Sequence, residues 1–183
     1  MKYTLGALWG AWLLFWLASA RGNKRTATRP GPLWRFTTVV AAVVVVWLGW
    51  RFPEYFQKPL LPPSAAWVYI ALVLTAGGLG FTMWARRALG TNWSAMPALK
   101  KDHELIQRGP YRLVRHPIYT GLLLAVFGTC LAGGRVWNLC VVAMAAILLI
   151  VKLKAEEALL TRQFPDAYPE YQRCVKAVIP FLY

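Results

Sequence analysis

Long apolar runs, divided by basic or proline-marked connections, set the pattern of the chain from end to end. A spanning helix needs roughly 20 mostly apolar residues, because the hydrocarbon core is about 30 Å thick and each residue rises about 1.5 Å. Five stretches approach that length: 3–20, 33–50, 66–85, 118–132 and 136–151. The last two are short by apolar count, so their flanks must complete the span or lie at an interface. Gly133-Gly134-Arg135 between them reads as a tight turn joining antiparallel helices. Pro53, Pro59, Pro62 and Pro63 mark the connection before the third run as non-helical. Within that run, Ala76-Gly77-Gly78-Leu79-Gly80 offers small residues for close helix packing, a more economical reading than a cofactor loop. The expected fold is an all-α integral membrane protein with about five transmembrane helices.

The basic residues orient these helices. The 21–35 connection carries five Lys or Arg, the 86–117 connection seven, and the tail from Lys152 five. The opposite side holds only Lys2, Arg51, Lys58 and Arg135. Cytoplasmic loops are enriched in Lys and Arg, so the N-terminus is expected outside and the C-terminus in the cytoplasm. Lys2, the first apolar run and Ala18-Ser19-Ala20 also fit a signal peptide with a cleavage site. The basic cluster Arg21, Lys24, Arg25, Arg29 and Arg35 follows at once and resists translocation, which favours a retained helix.

Composition agrees. Hydrophobic residues make up 58% of the chain and charged residues 15%, and ten Trp suit membrane interfaces. A net charge of +14 would suit nucleic acid if it lined one soluble face, but here it lies in blocks between apolar runs. Membrane lipids, and no nucleic acid, are the expected surroundings. Cys130, Cys140 and Cys174 have no metal-ligand spacing and read as plain thiols; no metal site is expected.

Two polar stretches fall on the cytoplasmic side. The first runs through His103-Glu104-Leu105-Ile106, then Gly109-Pro110-Tyr111, then Arg115-His116-Pro117-Ile118-Tyr119. As plain structure it is a turn, a helix entry with Pro117 in the first turn, and a belt of boundary residues. That reading leaves His116 without a reason. The second stretch holds Lys152, Glu156 and Glu157, where the fifth apolar run ends. Lys152 and Glu156 are four apart and can form a weak helical pair. Adjacent carboxylates at a bilayer exit are costly and count as functional candidates. Beyond them, Tyr168, Tyr171, Val175 and Val178 are expected on one side of an amphipathic C-terminal helix.

The order His-x-Leu, Gly-Pro-Tyr, Arg-His-Pro-x-Tyr-x-Gly across 103–121 resembles the signature of the isoprenylcysteine carboxyl methyltransferase family. Glu156-Glu157, Phe164, Tyr168, Tyr171 and Pro180 follow in the family's order, and the likeness covers roughly 90–183. It implies an S-adenosyl-L-methionine (SAM) site with S-adenosyl-L-homocysteine (SAH) as product. The pocket would be formed by the loop before the fourth helix, the end of the fifth and the C-terminal helix. It also implies two parts, a membrane scaffold in 1–85 and a SAM-binding catalytic half in 86–183. Cofactor residues carried over are His103, Glu104, Leu105, Ile106, Tyr111, His116, Pro117, Ile118, Tyr119 and Glu156.

Catalytic roles would fall to Lys152, which stands where the family usually has Arg, and to Glu157. A carboxylate acceptor needs no base, whereas an amine or thiol would call on Glu157 or His116. The expected partner is a lipophilic or lipidated acceptor. Three alternatives remain beside this: a phospholipid N-methyltransferase, a sterol-type membrane reductase and a non-catalytic membrane protein.

Overall fold

The computed structural model describes residues 2–19, 32–62, 64–90 and 105–180. Helices occupy all five apolar runs: α1 (Lys2–Ser19), α2 (Pro32–Arg51), α4 (Ala65–Leu89), α5 (Pro117–Gly133) and α6 (Val136–Gln163). A single turn, α3 (Pro53–Phe56), follows α2, and α7 (Ala167–Cys174) follows α6. Among the described residues α4 and α6 are long and apolar enough to cross a membrane, while α1 and α5 are apolar but shorter. The 28 residues of α6 exceed what a bilayer requires. Its apolar run ends at Val151, and the turns from Lys152 onward project beyond it.

The core is the crossing of α4 and α5, the most extensive helix contact among the described residues. Ala71, Thr75 and Gly78 on α4 face Gly121, Ala125 and Gly128 on α5, all buried. A Cβ at Gly78 would lie 2.5 Å from the Gly121 carbonyl oxygen and 2.6 Å from the Ala125 nitrogen. The two backbones are therefore in direct contact, and only hydrogen fits between them. Lipid tails are as apolar as leucine, so close van der Waals approach through small residues is how such helices associate. The expected packing role of the glycine cluster holds at Gly78; Gly77 and Gly80 would meet nothing within 4 Å.

Polar side chains add α1 to this pair. Trp12 donates its indole N–H to Thr82 Oγ1 at 2.7 Å, and Trp9 donates to Thr129 Oγ1 at 3.0 Å. At one end of the bundle the buried Arg86 guanidinium donates to the carbonyls of Ser19 at 2.6 Å and Gly90 at 2.5 Å. It thereby ties together the C-terminal ends of α1 and α4, where a cation is favoured by the helix dipoles. At the other end Gly134 takes the left-handed conformation (φ 57°) that closes α5 and allows α6 to start two residues later. The connection after α3 is pinned there too, with Leu60 N–H donating to the Gly134 carbonyl at 2.7 Å.

The C-terminal helix is shorter than expected. It ends at Cys174, and Val175 is extended. Tyr168 and Tyr171 are buried on its inner face as anticipated, but Val175 and Val178 do not continue the helix. Instead the N–H groups of Arg115 and His116 donate to the carbonyls of Lys176 and Ala177 at 2.8 and 2.9 Å. These bonds satisfy backbone groups that a longer helix would have left to the approach of α5 alone.

Candidate active site

Pro110 and Pro117 organise the approach to α5. Gly109, with φ 61°, begins a 3-10 turn over Gly109–Arg112 that drives Tyr111 inward. Tyr111 packs with Ile106 and Ala85, and Ile118 closes this cluster from α5. His116 precedes Pro117, which keeps it out of helical conformation and makes it the N-cap of α5. Its ring is buried and stacks on Tyr119, with centroids 5.4 Å apart and planes within 2°.

The last turns of α6 approach this ring from the other side. Glu157 Oε1 accepts from Arg115 Nε at 2.9 Å, from Arg115 Nη2 at 2.6 Å, and lies 3.2 Å from His116 Nε2. Its second oxygen accepts from Gln172 Nε2 at 3.2 Å. Arg115 Nη1 also donates to the carbonyls of Val175 at 2.5 Å and Gln172 at 3.3 Å. Thr120 Oγ1 donates to the Val178 carbonyl at 2.7 Å. Arg115 and Glu157 thus join the entry of α5, the end of α6 and the segment after α7.

Glu156 looks the other way. Its Oε2 lies 3.8 Å from His116 Nδ1, and its carboxylate acts electrostatically on the Tyr111 and Tyr119 hydroxyls. Lys152, one turn earlier on α6, attracts Glu156 and holds its ammonium 5.2 Å from the centre of the Tyr119 ring. Tyr111, His116, Tyr119, Lys152 and Glu156 therefore surround one position at the junction of the loop, α5 and α6. Pro117 and Ile118 form the start of α5 beside it. An anionic group beside aromatic and apolar walls suits a ligand that joins a cationic amino group to a flat ring system.

Burial would raise the Glu157 carboxyl, but hydrogen bonds from His116 and Arg115, together with the Arg115 charge, hold it down at about 2. It is consequently a weak base. Burial, reinforced by the negative charge of Glu156, pushes the Tyr111 phenol above its ordinary value and keeps it neutral.

Of the expected site residues, His103 and Glu104 lie outside the described residues. Ile106 and Tyr111 are buried together, and Leu105 precedes them, half-buried. The sequence reading treated Arg115 as a boundary anchor and assigned Gln172 nothing. Their role depends on a contact spanning 42 positions between Arg115 and Glu157, which no local pattern reports. A surface cleft of about 350 Å³ is lined by Gln107, Arg112, Glu170, Tyr171 and Cys174 among others, and Glu156 is not among its lining residues. The geometry of side chains around Glu156 is the better guide to the chemistry, because the charged and aromatic groups converge there.

The family model described as Phospholipid methyltransferase matches residues 66–167. The chain belongs to this family. Its sequence is 32% identical over 171 residues to the cobalt-zinc-cadmium resistance protein CzcN of Cupriavidus metallidurans, covering 91% of this chain and 70% of that one. It is 34% identical over 96 residues to the protein-S-isoprenylcysteine O-methyltransferase of Schizosaccharomyces pombe, covering 51% of this chain and 41% of that one. The fold is similar to the solved structure of a eukaryotic intramembrane Ras methyltransferase, isoprenylcysteine carboxyl methyltransferase. That match has a TM-score of 0.57 at 24% identity, over 85% of this chain and 55% of the other. The chain spans about half the length of several proteins it matches. The resemblance read from residues 103–180 thus leads to the same group of membrane methyltransferases.

Proposed function

We propose that this protein is a SAM-dependent integral membrane methyltransferase that methylates the carboxylate of an isoprenylcysteine-like or other lipophilic acceptor. The observation that carries the reading is the position of Glu156, ringed by Tyr111, His116, Tyr119 and Lys152 where α6 leaves its apolar run. In this arrangement Glu156 holds the amino end of the cofactor. Tyr111, Pro117, Ile118 and Tyr119 wall the site against water, with Ile106 packed behind Tyr111. Bound SAM supplies an electrophilic methyl group. The chain's own task is to align an acceptor with that methyl and keep the site dry.

Lys152 favours an anionic acceptor. Its ammonium beside Tyr119 attracts a carboxylate and repels the ammonium form of a phospholipid amine. A carboxylate is ionised near neutral pH and needs no base. An amine must shed a proton, and Glu157, held by Arg115 and His116, is poorly suited to accept it. Lys lacks the planar fork of Arg, so Lys152 steers charge without the two-pronged grip that would fix one acceptor geometry.

Five spans with the N-terminus outside would place this site on the cytoplasmic face. Residues 1–85 would then form the scaffold and residues 86–183 the catalytic half. Isothermal calorimetry of the detergent-purified protein with SAM and SAH tests the reading. Saturable binding to the wild type that falls at least tenfold in Glu156→Ala supports it; a folded wild type that binds neither ligand overturns it.

A further inference from the structure

The end of the bundle where α5 turns into α6 carries a cleft that methyl transfer does not use. The small residues that bring α4 and α5 together reach as far as Ala71 and Gly128, where a Cβ on Gly128 would lie 2.9 Å from the Ala71 carbonyl oxygen. One turn further, Trp67 and Val68 on α4 and Leu131 on α5 line an open cleft of about 580 Å³. The segment before α4 contributes Pro59, Leu61 and Ser64 to its walls, and Arg135 completes them. From this arrangement we propose that the cleft seats an anionic phospholipid, with the phosphate at Arg135 and Ser64 and an acyl chain against Val68 and Leu131.

The charged and polar groups suit a phosphate. Arg135 is exposed, and its Nη1 donates to Gln57 Oε1, a neutral amide oxygen that holds the guanidinium without cancelling its charge. A guanidinium has five N–H donors in a planar fork that matches phosphate oxygens. Ser64 Oγ accepts from the Ala66 N–H at 3.2 Å, so its own proton remains to be donated. No carboxylate is among the lining residues. The ammonium of a zwitterionic headgroup would therefore meet only the Arg135 cation, which favours a headgroup without one.

The surroundings suit a lipid. Trp50, Tyr55, Trp67 and Trp137 lie at this end of the helices, and such rings mark the level where hydrocarbon meets water. The polar groups stand at the rim, and the apolar walls run inward along α4 and α5. Backbone bonds fix the shape in advance: Leu60 N–H donates to the Gly134 carbonyl at 2.7 Å, and Val136 N–H to the Lys58 carbonyl at 3.1 Å. A preformed seat spares a ligand the cost of ordering its walls. Val136 and Lys152 are sixteen positions apart on α6, about 24 Å at 1.5 Å per residue. The cleft is thus separate from the Glu156 position and independent of what that position binds.

Photolabelling in phosphatidylcholine nanodiscs tests the proposal, with a diazirine-bearing phosphatidylglycerol or a phosphatidylcholine of the same chains as probe. Wild type should show phosphatidylglycerol labelling of the 59–68 and 131–135 segments about fivefold above phosphatidylcholine, the weight of one arginine near an anionic headgroup. Arg135→Gln should bring the two probes within twofold of each other, while Lys154→Gln, at the opposite end of α6, should leave the preference intact. Equal labelling of wild type by both probes, or a preference that survives Arg135→Gln, overturns the proposal. Loss of the preference to excess inorganic phosphate at constant ionic strength would assign the site to free phosphate and overturn it as well. The wild-type comparison needs no variant, so the proposal stands or falls even if Arg135→Gln does not fold.

Discussion

Arg115 grips one oxygen of Glu157 with two nitrogens, at 2.9 and 2.6 Å, and so fastens the entry of α5 to the end of α6. Both side chains are largely withdrawn from solvent, at 11% and 17% exposure. Removing one partner of such a pair strands the other charge. Arg115→Ala should therefore destabilise the protein by about 3 kcal/mol. Thermal unfolding in detergent would register the loss, and limited proteolysis should find new cleavage near Val175–Val178, whose carbonyls Arg115, His116 and Thr120 now hold. Unchanged protection of that segment would contradict the role assigned to the contact.

Acid should undo the same contact. The folded Glu157 carboxyl is depressed from 4.5 to about 2, so its stabilisation is fully present above pH 4.5 and is lost as the pH falls toward 2. Unfolding midpoints measured from pH 6 to pH 3 should fall more steeply for wild type than for Glu157→Gln, which carries no proton-linked charge there. Parallel curves would mean that Glu157 is not held down as the geometry requires.

The helix crossing predicts a contrast among neighbouring glycines. At Gly121 an added Cβ would lie 2.6 Å from the Gly78 carbonyl oxygen, with backbone on the opposing side that cannot step away. Gly121→Ala or Gly78→Ala should cost about 1–3 kcal/mol through forced separation of α4 and α5. Gly77→Ala, which meets nothing within 4 Å, should be neutral or stabilising by up to about 1 kcal/mol through helix propensity. Thermal melts of the three variants in one detergent would check the contrast.

Lys152 offers a test of acceptor chemistry. Lys152→Gln should raise the KM for a prenylated thiol acid about tenfold, since the attraction for the carboxylate is lost. SAM affinity should not weaken, because the change removes a cation from beside Glu156. Steady-state kinetics with the acceptor varied, together with SAM calorimetry, separate the two effects. A variant that gains activity on phosphatidylethanolamine at the expense of the acid would show that this residue governs which acceptor is taken.

Much of this architecture could be read along the chain. Apolar runs of near-spanning length located all five major helices, and Gly133-Gly134 located the turn between α5 and α6. Such features are local: they depend on the apolar length a helix presents and on conformations only glycine adopts readily. The ordered motifs from His103 to Pro180 likewise identified the family, because residue types and spacing carry that signal without coordinates. The distinction between Glu156 and Glu157 was not accessible in this way. Two neighbouring carboxylates are alike in sequence, and their roles diverge only when helical geometry directs them to opposite sides of His116. The end of α7 was equally hidden, since the bonds from Arg115 and His116 that draw out residues 175–177 come from sixty positions away. Sequence by itself determined where the helices lie and which chemical groups the chain carries. Tertiary structure alone decided which of those groups meet, because pairing across long separations depends on packing and competing hydrogen bonds rather than on neighbours in the chain.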